Sequence, residues 1–168
     1  MSRDPKEKIV SISQLRNSIR TERLWYGKIV FTNGCFDLLH AGHVQYLYEA
    51  RRCGDMLIVG INSDRSVRQS KGENRPIVPA EQRAYAVAAL ECVSFVIIFD
   101  EDTPHKLLEA IRPDFLIKGG DYSVDEVVGK EIVEGYGGRV VVMSHVEGLS
   151  SSKIIRRIRR SLANDSSE

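Results

Sequence analysis

The 168-residue sequence predicts an α/β fold: a single doubly wound, Rossmann-like domain with a five-stranded parallel sheet, strand order 3-2-1-4-5, and helices on both faces. Three observations lead there. Apolar strand-like runs alternate with helical runs five times. Those strand-like runs are continuous in Val, Ile, Leu and Phe rather than alternating, as strands buried on both faces read. Stretches rich in glycine and polar residues follow each of them, at the edge where open parallel sheets bind ligands.

Each element has its own signal. In "SISQLRNSIRTERL" (Ser11 to Leu24), Ile12, Leu15, Ile19 and Leu24 fall near helical spacing behind a Ser11 or Ser13 cap. "KIVFTNG" (Lys28 to Gly34) reads as the first buried strand. "HVQYLYEARRCG" (His43 to Gly54) reads as a helix that its last glycine closes. "DMLIVGIN" (Asp55 to Asn62) is the second strand, and the segment from Ser63 to Pro79 starts as a short helix and dissolves into a charged loop. "AEQRAYAVAAL" (Ala80 to Leu90) is helical and "VSFVIIF" (Val93 to Phe99) the third strand. "TPHKLLEAI" offers Thr103 as N-cap and Pro104 in the first helical position. "DFLIKGG" (Asp114 to Gly120), a helix from Val127 to Gly138, "RVVVMSH" (Arg139 to His145) and a helix from Ser150 to Arg160 complete the alternation. The resulting division is a helical extension over residues 1–27, the sheet domain over 28–160, and a disordered tail over 161–168.

Composition narrows the function classes. A net charge of +1 provides no global field toward nucleic acid or a membrane, and no apolar run approaches the length of a membrane span. Charges at the N-terminus are not followed by the apolar core of a secretory signal. Three cysteines without a CxxC pair fit neither a disulfide framework nor a zinc knuckle, so a reducing, cytoplasmic setting is expected.

The chemistry concentrates at "FTNGCFDLLHAGHVQYLYEA" (Phe31 to Ala50), where a strand gives way to a helix across His40 and His43. A helix N-terminus presents unpaired N–H groups and a partial positive charge, which favour phosphate. Gly34 and Gly42 allow close backbone approach. The two imidazoles can aim donors at one anionic oxygen; incidental capping and packing roles weigh about evenly against that on spacing alone. A metal site is the weaker reading, because only Asp37 lies nearby as a third ligand and no HExxH pattern is present.

These residues carry a resemblance. "FTNGCFDLLHAGHVQYL" resembles the opening motif of the HxGH nucleotidyltransferases, and more specifically that of the heptose 1-phosphate adenylyltransferase module of bacterial ADP-heptose synthase, in the cytidylyltransferase-like superfamily. The likeness runs from about Lys28 to Ile158, through "NSDRSVRQSKGENRPIVPAEQR", "FDEDTP", "IRPDFLIKGGDY" and "GLSSSKII". No sugar-kinase module precedes it, so the chain is expected to be a stand-alone transferase. The resemblance implies AMP transfer from ATP to D-glycero-D-manno-heptose 1-phosphate, with Mg²⁺ accompanying the triphosphate and no metal fixed by protein alone. A homodimer is expected, with no nucleic-acid or membrane partner.

It also implies roles. His40, His43, Lys71 and Lys118 are the expected catalytic residues. Thr32, Asn33, Gly34, Cys35 (through its backbone N–H), Phe36, Gly42, Gly119 and Asp121 are expected to bind nucleotide. Ser150, Ser151 and Ser152, where the family has Ser-Thr-Thr, are expected at the β and γ phosphates. Asp37, Asp64, Arg75 and Arg83 are expected to bind substrate, with Arg83 facing the phosphate pocket. The plain alternatives are a solvated loop for Lys71 and Arg75, a helix-surface arginine for Arg83, a glycine turn for "KGGDY" and simple capping for Ser150. The basic run "KIIRRIRR" reads as a core stripe with a solvated face.

The runner-up in the same superfamily is a cytidylyltransferase acting on glycerol 3-phosphate. Against it, His145 in "HVEGLS" and Glu91 in "AALECV" stand where those proteins carry arginine. A nucleotide-binding sensor or scaffold without turnover is the reading from another class, and intact "HAGH", Lys71 and Lys118 argue against it.

Overall fold

The computed structural model describes residues 3–120, 123–144 and 149–165. Five strands, β1 (Ile29–Gly34), β2 (Met56–Asn62), β3 (Phe95–Phe99), β4 (Phe115–Gly119) and β5 (Arg139–Met143), form one parallel sheet in the order β3-β2-β1-β4-β5. The register pairs Thr32 with Val59 and Phe31 with Leu116, so β1 sits at the centre. The order reverses between β1 and β4, and ligands in such sheets bind beyond the carboxyl ends at that point.

Both faces are covered, as the continuous apolar strands require. On one face Phe31, Ile58, Ile97 and Leu116 pack with Leu15 and Ile19 of α2 (Ile12–Tyr26), with Leu107, Leu108 and Ile111 of α6 (His105–Ile111), and with Val133 of α7 (Lys130–Gly135). On the other, Val30, Leu57, Val59 and Ile117 pack with Leu47 and Ala50 of α3 (Ala41–Arg51) and with Ala84, Val87 and Ala88 of α5 (Ala80–Ala88). The period-2 alternation along each strand supplies both cores at once.

The structure departs from the sequence expectations in several places. A one-turn helix, α1 (Pro5–Lys8), precedes α2; Asp4 caps it by accepting from the Lys6 N–H, and proline starts it. Ile9 then makes a single parallel bridge to Val96 of β3. The stretch 3–27 therefore builds on the same sheet and core as the rest. The helix expected from Val127 to Gly138 shortens to α7, which starts only after Gly129 takes the left-handed conformation as its N-cap (φ 92°), and a 3₁₀ turn (Val124–Glu126) precedes it. Thr103 does not cap α6, which starts one residue beyond Pro104. The last helix, α8 (Ser151–Asp165), continues past Arg160 through part of the stretch expected to be disordered; Leu162 and Ala163 are good helix formers. Arg65 and Lys71 lie on α4 (Asp64–Lys71), the short helix expected after Ser63.

Candidate active site

A cavity of about 340 Å³ opens at the carboxyl ends of β1 and β4. Asn33, Gly34, Cys35 and Phe36 border it from β1 and the loop behind it. His40, Gly42, His43, Tyr46 and Glu49 border it from α3, Lys71 and Arg75 from the end of α4 and its following loop, Lys118 and Gly119 from β4, and Ser150, Ser151 and Ser152 from the start of α8. Asp37 and Ser144 complete this rim with Leu149. Most residues expected from the sequence are thus brought together.

His40 is the N-cap residue of α3, but its side chain makes no capping bond. The first turn of α3 keeps its affinity for an anion as a result. The His40 and His43 rings stack with centroids 3.8 Å apart and planes 20° apart, and Phe36 leans on His43 at 5.3 Å. Nδ1 of His40 is buried without a hydrogen-bond partner among the described residues. Desolvation lowers the His40 pKa below the ordinary imidazole value, which keeps the ring neutral at pH 7. A Cβ at Gly42 would come within 3.1 Å of both His40 Nδ1 and Leu149 Cβ, so a larger residue would press on the His40 ring.

Lys118 leaves β4 toward β1 and donates from Nζ to Asn33 Oδ1. Burial lowers its pKa to about 8. Beside it, the Tyr46 ring packs on Gly119, where a Cβ would meet Cε2 at 3.1 Å, and the Tyr46 hydroxyl pairs with Thr32 Oγ1 at 2.7 Å. Thr32 is fully buried and holds Tyr46 from beneath the cavity, outside its lining.

Three of the four expected substrate-binding residues have their polar groups committed within the protein. Asp37 is 2% exposed and receives the Arg75 Nε at 2.8 Å, the Ile77 N–H at 3.0 Å and the Val78 N–H at 3.0 Å. Burial alone would raise its pKa; the two N–H groups and the guanidinium outweigh burial and hold it below the usual carboxylate value. Arg83 is the larger departure. It does not face the phosphate pocket: it is 1% exposed and donates to the carbonyls of Val78, Cys35 and Asn62 and to the Asp64 carboxylate. An arginine early in α5 points inward because four acceptors at the ends of β1, β2 and the α4–α5 loop surround it. Asp64 takes its charge at 2.7 Å and also lies outside the cavity lining. Asp37 and Arg75 pair with each other and both border the cavity, Arg75 beside Lys71.

The loop after β1 is held under backbone strain. Phe36 and Leu38 take positive φ values of 47° and 53° on either side of Asp37. The Asp37 carbonyl accepts from the Ser151 hydroxyl, which ties α8 to this loop. Ser150 caps α8 by accepting from the Lys153 N–H at 3.2 Å. Ser152 is left at the cavity with an exposed side chain. Asp121 and His145 lie outside the described residues. Glu91 sits in the turn before β3, at the amino edge of the sheet and away from the cavity, so its identity bears on no ligand there. The cavity-lining residues that sequence reasoning missed are Tyr46, Glu49, Ser144 and Leu149. The i, i+3, i+6 spacing of His43, Tyr46 and Glu49 on one helix face was the signal for the first two.

Among the described residues no group of His, Cys, Asp or Glu is arranged to hold a metal ion, and the three cysteines are free. The charged donors at the cavity, Lys71, Arg75 and Lys118, suit a phosphate chain. No helix among the described residues is long and apolar enough to cross a membrane.

Comparisons with known proteins agree with this geometry. The chain is 52% identical over 157 residues to the bifunctional protein HldE of Citrifermentans bemidjiense, covering 94% of this chain and 32% of that protein. It is 54% identical over 151 residues to HldE of Alcanivorax borkumensis, covering 90% and 32%. The chain thus spans about a third of the length of the curated relatives it matches. Among solved structures, the lipopolysaccharide core biosynthesis protein of Thermoplasma volcanium superposes with a TM-score of 0.59 at 28% identity, over 71% of this chain and 96% of that one. Pantoate-beta-alanine ligase of Francisella tularensis shares the fold, with a TM-score of 0.58 at 17% identity over 87% and 74%. The cytidylyltransferase-like family model matches residues 31–157, from β1 into α8 and so across the whole cavity: the chain belongs to the cytidylyltransferase-like family and is a nucleotidyltransferase.

Proposed function

We propose that the chain transfers AMP from ATP to D-glycero-D-manno-heptose 1-phosphate, giving ADP-heptose and pyrophosphate. The observation that carries nucleotidyl transfer is the meeting of two stacked imidazoles, an α3 N-terminus without a side-chain cap, and Lys71, Arg75 and Lys118 around one cavity. The choice of heptose phosphate and ATP rests on the extent of the likeness to HldE.

The acceptor phosphate oxygen attacks the α-phosphorus directly. Its new P–O bond forms as the bond to pyrophosphate breaks, and no covalent enzyme intermediate is needed. His40 and His43 hold the α- and β-phosphate oxygens as charge builds on them. Lys71, Lys118 and the start of α8 at Ser150 and Ser152 neutralise the remainder. Mg²⁺ bound to the triphosphate supplies further charge neutralisation. Asp37, Arg83, Asp64 and the Ser151 hydroxyl act by positioning: they fix the loops that carry the histidines, Lys71 and Arg75. The protein works as a cytoplasmic homodimer.

The test is pyrophosphate release with ATP, CTP and GTP against heptose 1-phosphate and glycerol 3-phosphate. Turnover confined to ATP with the heptose phosphate is expected. Turnover with CTP and glycerol 3-phosphate would replace this reading with a cytidylyltransferase. Nucleotide binding without turnover on either acceptor would leave a sensor or a different acceptor.

A further inference from the structure

The cavity has one feature that a polyphosphate cannot use. Its lining is cationic along Lys71, Arg75 and Lys118, yet Glu49 also borders it. Asp37, the other carboxylate on the lining, is enclosed by Arg75 and the loop N–H groups. Glu49 is half-buried, and among the described residues it forms no ion pair. Its Oε1 accepts from Gln45 Nε2 at 3.1 Å, which steers the carboxylate without neutralising it.

Its position follows from the helix. His43, Tyr46 and Glu49 repeat at three-residue intervals on the cavity side of α3. At 1.5 Å per residue Glu49 lies about 9 Å from His43 along the axis. Tyr46 lies between them, locked by Thr32 and pressed on Gly119. A nucleotide whose phosphates sit at the histidines extends its sugar and base along this face. A carboxylate at the far end repels phosphate and accepts only from hydrogen-bond donors.

We propose that Glu49 is the acceptor that reads the nucleoside end of the nucleotide, taking a ribose hydroxyl or the exocyclic amine of the base on its carboxylate. This rests on the reading of the cavity as a nucleoside triphosphate site. The two sources share one chemistry, a neutral donor to a carboxylate, and nucleotide analogues separate them.

The experiment is calorimetric titration of the intact protein, and of Glu49→Ala and Glu49→Gln, without acceptor. The ligands are ATP, 2′-deoxy-ATP, 3′-deoxy-ATP and purine riboside triphosphate, which lacks the amine. Glu49→Ala is expected to weaken ATP about tenfold or more, the scale of a hydrogen bond to a charged group. One analogue should bind the wild type as weakly as ATP binds Glu49→Ala, and should lose nothing more in the variant. A deoxynucleotide in that role assigns the ribose; purine riboside triphosphate assigns the base. The acceptor KM should stay unmoved in both variants. ATP binding unchanged in Glu49→Ala overturns the proposal, as does equal further loss with every analogue, or a change confined to the acceptor KM. Failure of the wild type to bind any triphosphate overturns the cavity reading as well. Turnover with a different acceptor overturns only the choice of acceptor and leaves the Glu49 result standing.

Discussion

His40 and His43 act as fixed donors, and their worth depends on how little they must move when charge develops on a phosphate. Stacking at 3.8 Å and burial of His40 Nδ1 set them in advance. Replacing His43 with alanine should lower kcat by about 10²–10³ with a small change in nucleotide affinity, since a preorganised donor contributes mainly in the transition state. Stopped-turnover pyrophosphate assays check this; an equal loss in affinity and kcat would mean that the ring serves ground-state binding. Lys118 makes a pH prediction. Its folded pKa of about 8 is depressed below the ordinary lysine value. A triphosphate needs the charged ammonium, so kcat/KM should fall as pH rises above about 8. Lys118→Arg should move that limb upward, because a guanidinium does not deprotonate in this range. A limb that stays near 8 in the variant would belong to another group. Sequence showed these residues because their motif spacing is local. It misplaced Arg83, whose partners are the carbonyls of Cys35, Asn62 and Val78: only the fold brings those three together.

At the scale of elements, the loop from Gly72 to Pro79 is the part that local pattern could not place. Its residues read as a charged loop at the ligand edge and say nothing of an internal partner, yet the buried Asp37 carboxylate gathers Arg75, Ile77 and Val78 onto the strained turn after β1. Asp37→Asn cannot accept from all of these donors and cannot pair with Arg75. It should destabilise the protein by about 3–5 kcal/mol, as loss of one partner of a buried pair does. It should also speed tryptic cleavage after Lys71 and raise the nucleotide KM more than it lowers kcat. Asp37 has its folded pKa depressed, so its contribution is full above the unfolded carboxyl value near ~4 and is lost as pH falls through the folded pKa. An acid unfolding series should show that loss in the wild type and a flatter profile in Asp37→Asn; matching profiles would mean that the Asp37 carboxylate does not hold this loop. The late start of α7 after Gly129 and the one-turn α1 were missed for a simpler reason. Both depend on one or two residues, a left-handed glycine and an Asp4–Pro5 start, which carry little weight against a periodic run.

Over the whole molecule, the strand order and the two-faced core follow from the unbroken apolar strands, and those were legible. Less legible was where the folding unit begins. A boundary at residue 27 follows the start of the resemblance at about Lys28 and treats α2 as an addition. The structure instead buries Leu15 completely and leaves Ile19 only 7% exposed, in the same cluster as Phe31, Phe95 and Leu116 beneath the cavity. The α2 stripe covers a part of the sheet face that also packs α6. Leu15→Ala should therefore behave as a core substitution, costing about 2–5 kcal/mol through lost transfer energy and the cavity left behind. Deleting residues 1–27 should cost more than that and expose the β3 edge that Ile9 now bridges. Chemical denaturation of both variants checks the point. A truncated chain as stable as the full one would make α2 an accessory; a joint loss of stability and nucleotide binding would show that the face beneath β1 holds the strained turn, and with it His40, in place.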